Sequence, residues 1–587
     1  MNTKKQPLAN RLRRSIVVAN VAALLVLFAL SPAATAQSTP LAERLPADTL
    51  FYLQWRGLSS QPDAAKKNHL LQLWGDPDFA AVRVAIAMAF QRSVAAKGNS
   101  PSAADIMSFL PLLDNSAIVG FTVPPASSKP SQGSDVASRV ASFVVYDATG
   151  KDDLIRKLKK IAEANGKDDA IVRSYDFGGT SVDVRTEKET SYSARAANYY
   201  IASNRKEVIE DLIARYRAAD KPSTSIAQLA EYQAVRPYMD PDAAVSFLGR
   251  VPDLNKLIPS DPKSRQVGEV IKNLQIGRLH VVGGSASFNG EATRFRYAFL
   301  GDTSPGSLFD LAGSSTPSFK TQPVVDQGPI FSIYRVDLAA LYKSIRGAAA
   351  ASLPPDKAGS VAMFEGMAQN YLGMPVADAL ALFTGEIASL TTFAEDGSAQ
   401  RTFAVTIQKK QDVLRVLRAT LAAMIVAEDT SGDTTYLDLS FPYRDSATGQ
   451  QRRSFYYVAV TPDMVFAAQR KAALRIAIER FDGKSSGAAP DPELVRMRSL
   501  LPEKLSGLSV ADMSRIPWDK VIAIYAKQLT DAAKQSAGAA NQSNPPSEPQ
   551  FDWVKVIKPE VLSRHLHILI SGWWKDANGV YFDSYIQ

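Results

Sequence analysis

Two spacings of apolar residues alternate along the chain. Short runs rich in β-branched and aromatic residues, at 50–55, 141–146, 199–202 and 244–248, have the brevity and apolar density of β-strands. Between them, Asp152–Ala164 places Leu154, Ile155, Leu158 and Ile161 on one helical face, and residues 204–216 do the same with Val208, Ile209 and Leu212. Residues 171–175 and 181–184 flank Phe177-Gly178-Gly179, the pattern of a hairpin closed by glycines. Two longer antiparallel ribbons are predicted, 275–287 with 293–300 and 565–574 with 579–586. Strands joined by both hairpins and helices predict an α+β fold with mixed or antiparallel sheet and packed helices.

The pattern recurs. Leu50-Phe51-Tyr52-Leu53 matches Ile330-Phe331-Ser332-Ile333, and Ser142-Phe143-Val144-Val145 matches Thr402-Phe403-Ala404-Val405. Tyr199-Tyr200-Ile201-Ala202 matches Tyr456-Tyr457-Val458-Ala459, and Leu279-His280-Val281 matches Leu566-His567-Ile568, in the same order. Four ordered anchors predict an internal duplication, with loop insertions at 124–138 and 537–550 changing the spacing. The Gly-, Pro- and Ser-rich stretch 302–328 lacks a period and reads as the connection. The expected organisation is a leader at 1–36, a first α+β repeat at 40–301, a linker at 302–328 and a second repeat at 329–587.

The leader is predicted from Lys4, Lys5, Arg11, Arg13 and Arg14 ahead of an apolar run from Ile16 to Leu30. Ala34-x-Ala36 supplies small residues for cleavage between Ala36 and Gln37. The run is shorter than the roughly 20 residues of a membrane-spanning helix. Arg13-Arg14 leaves a twin-arginine signal as an alternative, and an uncleaved anchor as another. The expected address is periplasmic or extracellular, with membrane contact only through the leader.

Charge then changes meaning. The formal charge of the 587 residues is +8, from 67 Lys and Arg against 59 Asp and Glu. Five of those cations and no acids lie in the first 36 residues, so the remainder carries only +3. Its cations are dispersed rather than interleaved with aromatics, which argues against nucleic acid as a partner. The chain has no Cys and only four His, His69, His280, His565 and His567. Disulfides, thiolate metal sites and cysteine nucleophiles are thereby excluded.

Candidate chemistry is sparse. Ser203-Asn204-Arg205-Lys206 fits a Ser-x-x-Lys pattern in which an amine activates a hydroxyl, at a strand-to-helix turn. No Lys-Thr-Gly triplet follows, and the anchors pair Ser203 with Thr461 and Lys206 with Met464. The shared feature is then a hydroxyl before a helix, with Pro462 at the first helical position, and the expectation is an N-cap. Gly483-Lys484-Ser485 ends like a phosphate loop, but Ile478 stands where that loop needs Gly. His565-x-His567 would place two imidazoles on one strand face, with only His280 echoed in the first half, which is short of a metal site. Paired aromatics, Trp573-Trp574, Tyr199-Tyr200 and Tyr456-Tyr457, should each send one ring into the core and one outward. The outward rings are the candidate surface for sugars or peptides.

Leu45-Pro46-Ala47-Asp48-Thr49-Leu50-Phe51-Tyr52-Leu53, with Pro241-Asp242-Ala243-Ala244-Val245 and Leu501-Pro502-Glu503-Lys504-Leu505 later, resembles the opening segment of a bacterial exported family catalogued as a domain of unknown function. The resemblance extends in layout over most of the chain. It implies export and a repeated α+β body, and brings no catalytic residues.

The expected function is therefore an exported, non-enzymatic protein of two related α+β halves. Its binding or scaffolding surface is expected in the cleft between them, its partner an envelope protein, peptide or glycan, with no cofactor and no metal. The alternative is an exported hydrolase built on Ser203 and Lys206.

Overall fold

The computed structural model describes residues 41–85, 108–123, 140–164, 171–186, 190–218, 224–251, 276–304, 309, 312–325, 328–353, 359–444, 450–484, 491–524 and 557–587. The leader with Ala36 and Gln37, and the loops at 124–138 and 537–550, lie outside the described residues. Contacts divide the chain into two units, one reaching residue 264 and including Leu279–Leu300, the other comprising Arg265–Arg278 and Gly301–Gln587.

The first unit holds β1 (Thr49–Trp55), β2 (Ala117–Thr122), β3 (Ala141–Asp147), β4 (Ile171–Phe177), β5 (Thr180–Thr186), β6 (Thr190–Ala196), β7 (Tyr199–Ser203), β8 (Val245–Arg250), β9 (Leu279–Asn289) and β10 (Ala292–Gly301). Their order across the sheet is β4-β5-β6-β7-β3-β2-β1-β8-β9-β10, and the paired neighbours from β4 to β9 run antiparallel. The β4–β5 hairpin closes through Gly178 at φ 56° and Gly179 at φ 78°. Two successive left-handed residues match the twist of the strands they join, which is why a Gly pair stands there. Its strands are longer than the apolar runs suggested.

Helices α1 (His69–Gly75), α2 (Asp152–Ala164), α3 (Lys206–Arg217) and α4 (Ala230–Val235) complete the unit. The α2 bounds are those of the hydrophobic period. The α3 helix begins two residues later than the period suggests, because Asn204 is tied to Ser142 and Arg205 stays extended at φ −136°. It buries Val208, Ile209, Leu212, Ile213 and Tyr216. One sheet face carries Leu50, Tyr52, Ile118, Phe143 and Ile201 in the core. The opposite face is packed by Trp55, Leu58, Trp74, Ala244 and Val245.

The second unit holds β11 (Ile330–Arg335), β12 (Phe383–Phe393), β13 (Ala399–Ile407), β14 (Ile425–Ser431), β15 (Thr434–Arg444), β16 (Gln451–Val460), β17 (Met464–Ala468), β18 (Gly507–Asp512), β19 (Ile568–Lys575) and β20 (Gly579–Ile586). Their antiparallel order is β14-β15-β16-β17-β13-β12-β11-β18-β19-β20, the same sequence of positions as in the first unit when strands are counted from β11. Helices are α5 (Gln322–Val325), α6 (Leu338–Ser352), α7 (Gly359–Leu372), α8 (Val376–Ala381), α9 (Lys410–Leu421), α10 (Lys471–Phe481), α11 (Pro492–Arg498) and α12 (Pro559–His565). One core spans β11, β12, β18 and β19 under α5, α10 and α11, around Phe331, Ile333, Phe466, Met497 and Ile570. A second lies on the other face of β13 and β15–β17, under α8 and α9, around Val413, Leu414, Leu437 and Val460. The outer face of β12, β11, β18, β19 and β20 belongs to neither core. Among the described residues, no helix is long and apolar enough to cross a membrane.

Four sequence expectations change. Within 302–328, residues 312–325 pack against their own unit: Phe319, Val324 and Val325 enter the core, and Thr316 pairs with Leu505. Aligning Phe51 with Phe331 slips the register by one, since Phe331 is in the core while Tyr52, not Phe51, is fully buried. A one-residue slip exchanges the faces of a strand. Tyr199 and Tyr456 lie on strands of different position, β7 and β16; the strand placed like β7 is β17. His565 ends helix α12 instead of sharing a strand face with His567, because Pro559 starts a helix and β19 begins only at Ile568.

Candidate functional site

The outer face of the second unit's sheet carries five serines in one row. Ser389 is opposite Ser332, Ser332 opposite Ser509, Ser509 opposite Ser571, and Ser571 opposite Ser584. With neighbouring strands about 4.8 Å apart, the row runs roughly 19 Å across the strands. Its hydroxyls bond in pairs, Ser332 to Ser509 at 2.7 Å and Ser571 to Ser584 at 2.6 Å. A hydroxyl has one donor and two acceptor sites, so pairing leaves lone pairs for a ligand.

Two flanking rows follow from the strand period of two. On one side stand Ile387, Tyr334, Gly507, Trp573 and Phe582; on the other, Thr391, Ile330, Ala511, Leu569 and Ile586. None of the fifteen positions is charged. Tyr334 is 38% and Phe582 37% exposed, while the serines are half-buried. Trp573 and Phe582 stack with ring centres 6.1 Å apart and planes 22° apart. Gly507 makes room for this ridge: a Cβ there would lie 1.8 Å from Trp573 Nε1. The result is a shallow, uncharged strip with a hydroxyl floor between an aromatic and an aliphatic edge.

The remaining candidates resolve into structural roles. Ser203 Oγ donates to the Ser142 carbonyl at 2.8 Å and accepts from Arg205 N at 3.2 Å. Lys206 Nζ is 3.8 Å from Glu210 and 4.9 Å from the Tyr175 ring centre. The structure thus does not join the amine to the hydroxyl. Nor is Ser203 the helix N-cap; that position is Arg205, without a side-chain bond. Thr461, expected before a helix, sits in the β16–β17 turn, where its hydroxyl accepts from Met464 N. The strand ending like β7 is β17, which is followed by Arg470 at φ −136° and Lys471. Lys471 mirrors Lys206 by sitting 5.2 Å from the Tyr457 ring centre and 2.7 Å from Asp438.

Gly483 has φ 68° and closes α10, with Lys484 N donating to Glu479 O, as a helix-terminating glycine does. His280 is exposed on β9, and among the described residues no three of His, Asp or Glu gather as a metal site. Trp574 and Tyr581 stack at 5.5 Å, with Trp574 against the core, so the Trp573-Trp574 pair splits between faces as strand geometry requires. Tyr199 packs edge-on to Tyr216, and Lys159 covers Tyr200.

Two cavities lie among the described residues. One of about 340 Å³ is lined by Arg335, Asp337, Gly385 and Gln408. There Arg335 donates to Ser314 O at 3.1 Å and Asp337 caps α6 through Ala340 N at 2.8 Å. The other, of about 390 Å³ in the first unit, is lined by Arg236, Asp240 and Arg296. Asp240 there accepts from Ser287 at 2.5 Å and faces Arg294 and Arg296 at 3.4 and 3.5 Å.

No family model, curated protein or solved structure matches the chain.

Proposed function

We propose that the chain is an exported, non-enzymatic binding protein whose second unit holds an uncharged, hydroxyl-rich ligand, a stretch of neutral glycan, across the serine row. The observation that carries this reading is fifteen contiguous uncharged positions on one sheet face, in a chain whose residues are 21% charged. A sugar offers hydroxyls to the serine lone pairs and C–H faces to aromatic rings, and no ion that would need a counter-charge. A polyanion or polycation would find no partner on this face. Export rests on the leader pattern at 1–36. The matching strand order of the two units supports reading them as one architecture repeated, in which the first unit has lost or never gained the serine row. Phe51, Leu53, Val119 and Phe247 occupy the corresponding face of β1, β2 and β8 instead.

The test is affinity electrophoresis of the whole chain through gels containing dextran, soluble starch, a mixed-linkage β-glucan or polygalacturonate. Retardation by a neutral polymer is expected, with loss in both Trp573→Ala and Ser509→Asp and no retardation by polygalacturonate. Equal mobility of wild type and both variants in every gel would overturn the reading.

A further inference from the structure

Helix α7 is built with its larger apolar face outward. By the helical period Met363, Phe364, Met367 and Tyr371 form one stripe about 100° wide. They are 64%, 68%, 56% and 61% exposed. The half-buried stripe is Val361, Glu365, Ala368 and Leu372, smaller and interrupted by a carboxylate. Glu365 is fixed to α6, accepting from Tyr342 Oη at 2.7 Å and pairing with Arg346 at 2.5 Å. No residue of α7 is buried. The helix is thus anchored to its own unit by an ion pair while its best hydrophobic surface faces away.

We propose that this stripe is an interface with a second copy of the chain, through an antiparallel α7–α7 contact on a two-fold axis near Met367. The stripe is self-complementary: Met363 and Tyr371 lie four residues on either side of Met367, so a two-fold there sets Met363 against Tyr371 of the partner subunit, twice. A thioether against an aromatic ring is a favourable pair, and reciprocal contacts are what an isologous interface requires. Charge favours the same occupant. Glu365, held inward, is the only carboxylate on α7, which carries no Lys, Arg or His, so two copies meet without like-charge repulsion. A lipid-surface helix would instead carry Lys and Arg beside the apolar stripe, and α7 has neither. Gly366, on the rim, has open space where a Cβ would stand, which lets a second helix approach. Four side chains more than half exposed offer roughly 400–500 Å² per copy, so pairing covers about 1,000 Å² with the rims, the lower bound of specific interfaces.

The experiment is sedimentation velocity of the whole chain across a concentration series, with Met367→Lys and Met367→Cys. The wild type is expected to show a monomer–dimer equilibrium that Met367→Lys weakens about tenfold or more, with circular dichroism unchanged because the site is exposed. The chain has no Cys, so Met367→Cys carries one thiol per copy and is expected to form a disulfide dimer on oxidation. Ala362→Cys, on the rim away from the stripe, is expected not to. A wild type that stays monomeric at about 100 μM, or a dimer indifferent to Met367→Lys, would overturn the proposal. So would Met367-dependent flotation with phosphatidylcholine–phosphatidylglycerol vesicles at concentrations where no dimer forms.

Discussion

Thr321 gives both its backbone N–H and its hydroxyl to one oxygen of Glu386, at 2.7 and 2.9 Å. Glu386 is 5% exposed on β12, and Thr321 fully buried in the segment ahead of α5. Arg335 Nε stands 3.9 Å from the second oxygen. The segment 312–325 has no hydrophobic period, and this carboxylate holds it against the sheet together with Phe319, Val324 and Val325 in the core. Glu386→Ala leaves two buried donors unpaired and removes charge-assisted bonds, at a cost of about 3 kcal/mol. Urea unfolding should show a lower midpoint with Glu386→Ala than with Thr321→Ala, which removes one of the two bonds.

Gly385, one residue earlier, has φ 86°, and a Cβ there would lie 2.3 Å from the Val336 carbonyl. Val336 N donates to Gly385 O at 2.8 Å, joining the end of β11 to the irregularity in β12. Gly385→Ala combines a left-handed backbone with a steric clash, so it should destabilise by roughly 2 kcal/mol. Gly150→Ala, which has φ 68° but open space around it, should cost about 1 kcal/mol, the backbone part alone. The difference between the two melting shifts isolates the clash.

The Glu365 carboxyl is held below the usual range, first by the Arg346 guanidinium and then by the Tyr342 hydroxyl. A folded-state value below the unfolded one stabilises above the unfolded value, near 4.3, and that contribution is lost as pH falls through the folded value. The α6–α7 contact should therefore be constant from pH 5 to neutrality and loosen in the more acid range. Hydrogen exchange of the 359–372 amides, normalised for intrinsic rates, should show added opening below about pH 4. Glu365→Gln should remove the pH dependence.

Ser203 bridges Ser142 O and Arg205 N, and its hydroxyl proton is committed to a carbonyl. Fluorophosphonate probes should leave Ser203 unlabelled in the wild type. Ser203→Ala should cost about 1 kcal/mol as an ordinary buried hydrogen-bond loss. Stoichiometric labelling that disappears in Ser203→Ala would instead restore the hydrolase reading.

Elements with their own period were legible residue by residue. Asp152–Ala164 forms a helix with the bounds its apolar spacing sets, and Gly178-Gly179 marks the turn because few other residues accept two left-handed positions. What escaped was relational. Ser332, Ser509 and Ser571 are ordinary polar positions in alternating strands, and they become a row only through the register of strands far apart in sequence. Local likeness does not carry that register: Phe51 resembles Phe331 in its neighbours, yet it is Tyr52 that shares the core-facing position of Phe331. His565 misled because the helix begun at Pro559 takes residues that would otherwise extend β19. The outward stripe of α7 has the period of a core-facing helix, and only the exposures distinguish the two.

The strongest link between packing and the proposed binding face is Gly507 beneath Trp573. Adding a Cβ at 507 would place it 1.8 Å from Nε1, 2.5 Å from Cε2 and 2.6 Å from Cδ1 of the indole. The ring cannot stay, and turning it away breaks its stack on Phe582. Gly507→Ala should then lower stability by about 1–3 kcal/mol through overpacking, and should also abolish retardation in a neutral polysaccharide gel. The double variant Gly507→Ala with Trp573→Ala should recover much of the stability, because the clash is gone, without recovering retardation, because the ridge is gone. Such coupling between contacting residues is what a double-mutant cycle measures. If the double variant regained both, Trp573 would be a packing residue only, and the glycan reading of this face would fall with it.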